Sequence, residues 1–236
     1  MARALILTGG ISHDFDAASR ALVEVLKSAG IDADVTEDIS GGVAQLRAGG
    51  FDLLVVLALR WSMSGERFDD KRDLWGYSLT ESERDVIAGF VAEGGGMLAM
   101  HTAVICFDDW PEWKTMIGGV WRWDQSYHPP YGKVFVEPTG AKHPVTEGIG
   151  PFELDDEVYS GLDLEPDVEP LLMLRADGEN EPMPGLWVRD YGKGRVAFDG
   201  LGHDADAIRN PSHAGLIRRA AVWALGETED NVRQVQ

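Results

Sequence analysis

Cysteine is nearly absent: Cys106 stands alone among 236 residues. That excludes an intramolecular disulfide and any multi-cysteine zinc or iron–sulfur site. Cations are scarce too, with 21 Lys and Arg against 40 Asp and Glu, a formal net charge of −19. Nucleic acid and anionic membranes both need clustered Lys and Arg, so neither partner is expected. No stretch approaches the roughly 18 apolar residues of a membrane span. Near the N-terminus only Ala4–Leu7 is apolar between Arg3 and Thr8, short of the about 7–15 residues of a signal-peptide core. A soluble, cytoplasmic protein is expected. Neither Gly9-Gly10 nor Gly94-Gly95-Gly96 forms a dinucleotide or Walker fingerprint, so no nucleotide cofactor is expected.

What is present suits a globular chain, with 44% hydrophobic and 26% charged residues. No repeat or linker divides it. A single domain over 1–226 is expected, followed by a polar tail, 227–236, that frays. The first half alternates strand and helix patterns. Ala4–Leu7 reads as a buried strand, Asp16–Ala29 as an amphipathic helix stopped by Gly30, and Ala33–Thr36 as a second strand. Val43–Ala48 reads as a short helix. Leu53–Leu59 is an unbroken apolar run, which suits a central parallel strand covered on both faces. Thr80 and Glu83 have capping-box spacing and open a helix through Glu93, with Met97–Met100 as the next strand. This alternation predicts a doubly wound α/β sheet.

The second half reads as short strands at Lys133–Val136, Phe152–Leu154, Leu171–Leu174, Leu186–Arg189 and Val196–Phe198. Tyr191–Gly194 reads as a hairpin turn between the last two. Asn210-Pro211 caps a final helix, Pro211–Leu225.

In open α/β sheets ligands bind outside the carboxyl ends of the strands. His13, His101 and His203 all follow strand candidates, so one sheet edge brings them together on this reading. His128 either joins them or sits on a surface turn. His143 precedes a proline and reads as structural, and His213 as a surface residue of the last helix. His101 occupies a sharp strand-to-loop elbow, where an imidazole suits general acid–base work or metal ligation. Cys106 reads as a buried apolar thiol. In Phe152–Tyr159 a run of acids contains Glu157, which either lines a solvated edge or turns, with Tyr159, toward the histidines as base or ligand. Asp204 is placed to orient an imidazole. Residues 107–131 hold seven of the 21 aromatics. Trp121 and Trp123 alternate, as on one face of a strand. With Trp61 they are candidates for stacking on a sugar ring, core packing being the alternative.

The segments Thr8–Gly10 with His13, Gly94–His101, Met116–Gly119, His143–Ile149, Asp156–Tyr159, Tyr191–Arg195 and Gly200–His203 occur in an order that resembles the trehalose-utilisation (ThuA-like) family. That family is a branch of the class I glutamine-amidotransferase-like fold. The resemblance spans about residues 3–226. It implies a flavodoxin-like three-layer α/β sandwich, with a mostly parallel central sheet and extra hairpin strands in the second half. It also implies a link to carbohydrate metabolism. Amidotransferases carry a Cys at the elbow, where this chain has His101, so glutamine hydrolysis is excluded. The expected pocket residues are His13, His101, Glu157 and His203, with catalysis by the last three. His13, Trp61, Trp121, Trp123, His128, Tyr159 and Asp204 are expected on the substrate. A divalent metal, Zn²⁺ or Mn²⁺, fits His13, His101 and His203.

These residues lead to an enzyme acting on a glycoside or keto-sugar. The rivals are a non-catalytic sugar- or partner-binding domain, and a subunit of a homo-oligomer joined through the Trp-rich segment. The acid surplus is local: residues 151–181 hold 11 acids and one base, Arg175. Most of these acids are expected on a solvated face, Glu157 excepted.

Overall fold

The computed structural model describes residues 1–235. Apolar runs too long for loops become strands. The first are β1 (Ala2–Gly10), β2 (Ile31–Thr36), β3 (Leu53–Leu59) and β4 (Gly96–Met100). Every residue of β3 is buried, as its unbroken apolar sequence requires of a strand covered on both faces. Between the strands lie α1 (Phe15–Ser28), α2 (Ile39–Ala48), the short α3 (Asp69–Trp75) and α4 (Glu81–Ala92). The capping box at Thr80 and Glu83 is formed: each side chain accepts from the other residue's backbone N–H.

Beyond β4 come α5 (Pro111–Ile117) and the two-residue β5 (Gly119–Val120). They are followed by β6 (Gly132–Pro138), β7 (Phe152–Asp156), the two-residue β8 (Asp163–Leu164) and β9 (Leu172–Ala176). The long hairpin β10 (Met183–Tyr191) and β11 (Gly194–Asp199) then leads to α6 (Ala205–Arg209) and α7 (Pro211–Ala224). Beyond Gly226, where fraying was expected, the chain forms α8 (Glu229–Gln234). Val232 is buried there, and Arg233 reaches Glu147, Glu229 and Asp230. Polar composition concealed one apolar anchor and a set of ion pairs. Gln236 lies outside the described residues.

The strands form one nine-stranded sheet in the order β2-β1-β3-β4-β11-β10-β9-β6-β7. The first five are mutually parallel, and the last four join as antiparallel neighbours. Helices α1 and α7 pack together against β1, β4 and β11, and α2 and α4 pack together against β1 and β11. This is the expected flavodoxin-like three-layer sandwich with an antiparallel extension. No helix among the described residues is long and apolar enough to cross a membrane.

The extension does not lie flat. Strands β11 and β7 are four ladder steps apart, about 19 Å at ordinary spacing. Yet the backbone N–H of Gly202, just past β11, donates to Asp156 at the end of β7 over 2.8 Å. Sheet coiling brings the far edge back over the carboxyl ends of the parallel strands.

Candidate functional site

Strands β1, β4 and β11 run parallel and end on one side of the sheet. Each delivers a histidine there: His13 from the turn after β1, His101 directly after β4, and His203 from the loop after β11. The returning edge adds Glu157, one residue beyond β7. One ligand atom from each of these four side chains lies within 4.8 Å of all the others. The expected convergence of the three histidines and Glu157 is therefore found.

Backbone strain gathers at the same edge. Among the described residues, four non-glycine positions have positive φ: Ser12 (72°), Met63 (52°), His101 (44°) and Phe107 (54°). They lie in the segments after β1, β3 and β4. Such conformations cost about 1–3 kcal/mol each and persist where the surrounding structure enforces them. At His101 the strain aims a fully buried imidazole into the cluster.

Hydrogen bonds decide which nitrogens are free. His101 Nδ1 lies 3.0 Å from the Gly200 carbonyl, which can only accept. Nδ1 therefore carries the proton, and Nε2 presents a lone pair. That Nε2 and His13 Nε2 are both buried without a hydrogen-bond partner. His203 Nδ1 stands 3.2 Å from Glu157 Oε2, and His101 Nε2 stands 3.9 Å from the same oxygen. The outer oxygen, Oε1, lies 3.5 Å from Nδ1 of the half-exposed His128. His128 thus belongs to the pocket rim.

Charge follows burial and neighbours. Burial, reinforced by the other imidazoles, pushes His13 down to about 4. Burial likewise pushes His101 down to about 4, against its bond to Gly200. Both rings are neutral near neutral pH. Glu157 is also partly buried, but His203, His128 and His101 outweigh that burial and hold its carboxyl below the usual range. For His203, burial is outweighed by Glu157, and the ring is held above its ordinary value.

An aromatic wall continues from the cluster. Tyr159 is buried and stacks on His101 with centroids 4.5 Å apart. Trp121 meets Tyr159 at 5.4 Å, Trp123 meets Trp121 at 5.8 Å, and Trp61 meets Trp123 at 5.3 Å. Trp61 and Trp123 therefore reach the histidines only through other rings. The expected strand at Trp121 and Trp123 is not formed, since β5 stops at Val120 and Trp123 lies in a turn. The indole N–H groups of Trp61 and Trp121 are buried without partners.

Other expectations are revised. Asp204 orients no imidazole: Oδ1 caps α6 through Ala207 N–H at 2.8 Å, and Oδ2 accepts from the Tyr131 hydroxyl at 2.8 Å. Tyr131 in turn lies against the His203 ring at 5.1 Å. His213 is not a surface residue but is wholly buried and paired with Asp199. Proximity to the helix start suggested exposure, but α6 and the β11 loop cover that turn. Cys106 is a buried thiol, donating to Ala58 O at 2.9 Å and pushed by burial up to about 12. A separate cavity of about 690 Å³ between loop 138–149 and α8 contains none of the four clustered side chains. Its histidine, His143, accepts the Val145 N–H.

Asp156 escaped notice among its acidic neighbours. It is 1% exposed, and burial raises its carboxyl to about 6 despite backbone hydrogen bonds. The inward alternation of Leu154 and Asp156 along β7 was the available signal.

The sequence matches the profile of the ThuA family, described as trehalose utilisation, over residues 3–224. No curated protein matches it. A ThuA-like protein from Parabacteroides merdae superposes with a TM-score of 0.74 at 21% identity, over 95% of this chain and 90% of that one. A cytoplasmic protein from Salmonella typhimurium gives 0.58 at 15% identity, over 99% of each chain. A cold-adapted β-galactosidase from Rahnella gives 0.60 at 15% identity, over 96% of this chain but 31% of that one. At these identities the likeness establishes the fold alone.

Proposed function

The chain belongs to the ThuA, or trehalose-utilisation, family, and from that membership and the pocket geometry we propose that it acts on a glycoside or keto-sugar with a divalent metal, Zn²⁺ or Mn²⁺, held by His13, His101, Glu157 and His203. The carrying observation is the set of three buried imidazole nitrogens that face one carboxylate, His13 Nε2 and His101 Nε2 without hydrogen-bond partners and His203 Nδ1 paired with Glu157 at 3.2 Å. A buried polar atom left without a partner costs about 1–3 kcal/mol. Two such atoms beside one carboxylate are accounted for by a shared ligand. The donor set fits: neutral imidazoles with one carboxylate suit Zn²⁺ and Mn²⁺. The four ligand atoms lie within 4.8 Å of one another, and tetrahedral bonds of about 2.0–2.2 Å would draw them to about 3.3–3.6 Å.

When bound, such an ion supplies Lewis acidity toward a sugar carbonyl or hydroxyl. The protein's own groups do the rest. His101 is fixed by Gly200 as a Nδ1–H tautomer and offers Nε2. Glu157 places one oxygen among the three imidazoles and the other beside His128. His128, open to solvent, stands at the pocket mouth 3.5 Å from Glu157 Oε1. Tyr159, Trp121, Trp123 and Trp61 form the wall on which a sugar ring lies. The unpartnered indole N–H groups of Trp61 and Trp121 donate to its hydroxyls. The small-molecule substrate needs no nucleic acid or membrane, and we place the protein in the cytoplasm, in line with its Salmonella neighbour.

Metal content and keto-sugar turnover of wild type and His101→Ala test this reading. Wild type is expected to hold metal and turn over substrate, and the variant to do neither. Equal turnover in both removes His101 from the chemistry. A second reading, a sugar-binding domain without catalysis, draws on the fold's occurrence as a fraction of a β-galactosidase. Calorimetric sugar binding with no turnover under any metal condition would favour it.

A further inference from the structure

Glu157 follows the edge strand β7 and His203 the central strand β11, four ladder steps away, and something must hold their backbones in register. One side chain touches both. Asp156 Oδ1 accepts the backbone N–H of Glu157 at 2.7 Å and that of His203 at 3.1 Å. Its Oδ2 accepts the Gly202 N–H at 2.8 Å. The carboxylate is 1% exposed, and among the described residues no Lys, Arg or His lies within ion-pair distance of it. Three amides alone partner it, and two belong to proposed metal ligands.

We propose that Asp156 is a positioning residue that clamps the β7 end to the β11 loop, and so sets Glu157 and His203 at the spacing one ion requires. Both oxygens are occupied by donors, so the position demands a group that only accepts. In Asp156→Asn the amide N–H₂ would face either Gly202 N–H or the pair from Glu157 and His203, donor against donor. The substitution is nearly isosteric, and it releases at least one side of the clamp. His101 carries out the complementary restraint by holding Gly200 O at the root of the same loop. The β11 loop is thus fixed from the parallel strands by His101 and from the returning edge by Asp156.

The metal arm of the test rests on the function proposed above, and the second arm does not. Zn²⁺ alone is titrated calorimetrically into the full chain as wild type, Asp156→Asn and Leu154→Ala. Leu154 is a buried neighbour on the same strand and controls for lost stability. Asp156→Asn is expected to weaken binding about 10–100-fold, as loss of an outer-shell partner does. Leu154→Ala is expected to bind as wild type does at an equal or larger loss of Tm. Binding by Asp156→Asn within about twofold of wild type, or equal weakening in both variants, overturns the proposal. If wild type binds no Zn²⁺, the metal reading falls and the clamp is read from the His203 ring. Imidazole ¹⁵N shifts of wild type then report its pairing with Glu157, and Asp156→Asn is expected to lose that signature. Unchanged shifts overturn the clamp. Should Asp156→Asn not fold, hydrogen-bond couplings from the Glu157, Gly202 and His203 amides to the Asp156 carboxylate are measured on wild type. Their presence supports the clamp, and their absence overturns it.

Discussion

Asp199→Ala probes the buried charge behind the pocket. His213 is fully enclosed, with Nδ1 2.8 Å from Ala207 O and Nε2 3.0 Å from Asp199 Oδ2. A carbonyl and an ionised carboxylate both accept, so the ring donates from both nitrogens and is an imidazolium. Burial opposes that charge, and the Asp199 carboxylate outweighs it, holding His213 above its ordinary value. Asp199 also accepts the Leu201 N–H at 3.1 Å. Truncation leaves a buried cation and a buried amide without partners, which costs about 3–5 kcal/mol. In a chain of this size each kcal/mol moves Tm by about 2–4 °C, so the loss is about 6–20 °C. The double variant Asp199→Ala/His213→Leu buries no charge and should recover at least half of that, to within about 2 kcal/mol of wild type. The folded pKa of His213 lies above the unfolded value. Its contribution is therefore complete below about pH 6.5 and fades as pH rises through the folded value. Urea unfolding near pH 6 should show the full gap between wild type and Asp199→Ala, and the gap should shrink as pH rises through the folded value. A loss under about 1 kcal/mol, or a gap that widens with pH, refutes the imidazolium.

Metal binding should release about one proton near pH 6, because His13, His101 and Glu157 are already deprotonated there while His203 is held above its ordinary value. Titration calorimetry in buffers of different ionisation enthalpy counts the protons, and two or more would contradict these electrostatics. Trp113 is fully buried and donates its indole N–H to Ala103 O at 2.9 Å. Trp113→Ala should cost about 3–5 kcal/mol in denaturant unfolding. Cys106, buried and pushed up to about 12, should react with a thiol reagent only after unfolding. Fast labelling of the native chain would show that it is accessible.

Local pattern carried the parallel half of the fold. Leu53–Leu59 was read residue for residue as β3, since covering both faces leaves a signature within one segment. The Thr80 and Glu83 capping box and the Asn210-Pro211 start of α7 were equally local. The three strand-end histidines followed from one rule about parallel sheets. What stayed hidden depends on distant partners. The coiling that returns β7 to the β11 loop is a property of the whole sheet, so Asp156 looked like one more surface acid. His213 looked exposed because its cover, α6, is a short helix with a weak sequence pattern. Trp121 and Trp123 showed the alternation of a strand but found no ladder partner, and only their aromatic contact was legible.

On the proposed function, His13, His101, Glu157 and His203 are one metal site. X-ray absorption of the Zn²⁺-loaded chain tests it most directly. One ion per chain is expected, with three imidazole nitrogens and a carboxylate oxygen at about 2.0–2.2 Å, and a weakened imidazole signal in His101→Ala. A chain that retains no Zn²⁺ after dialysis, or that holds it without imidazole, would contradict it.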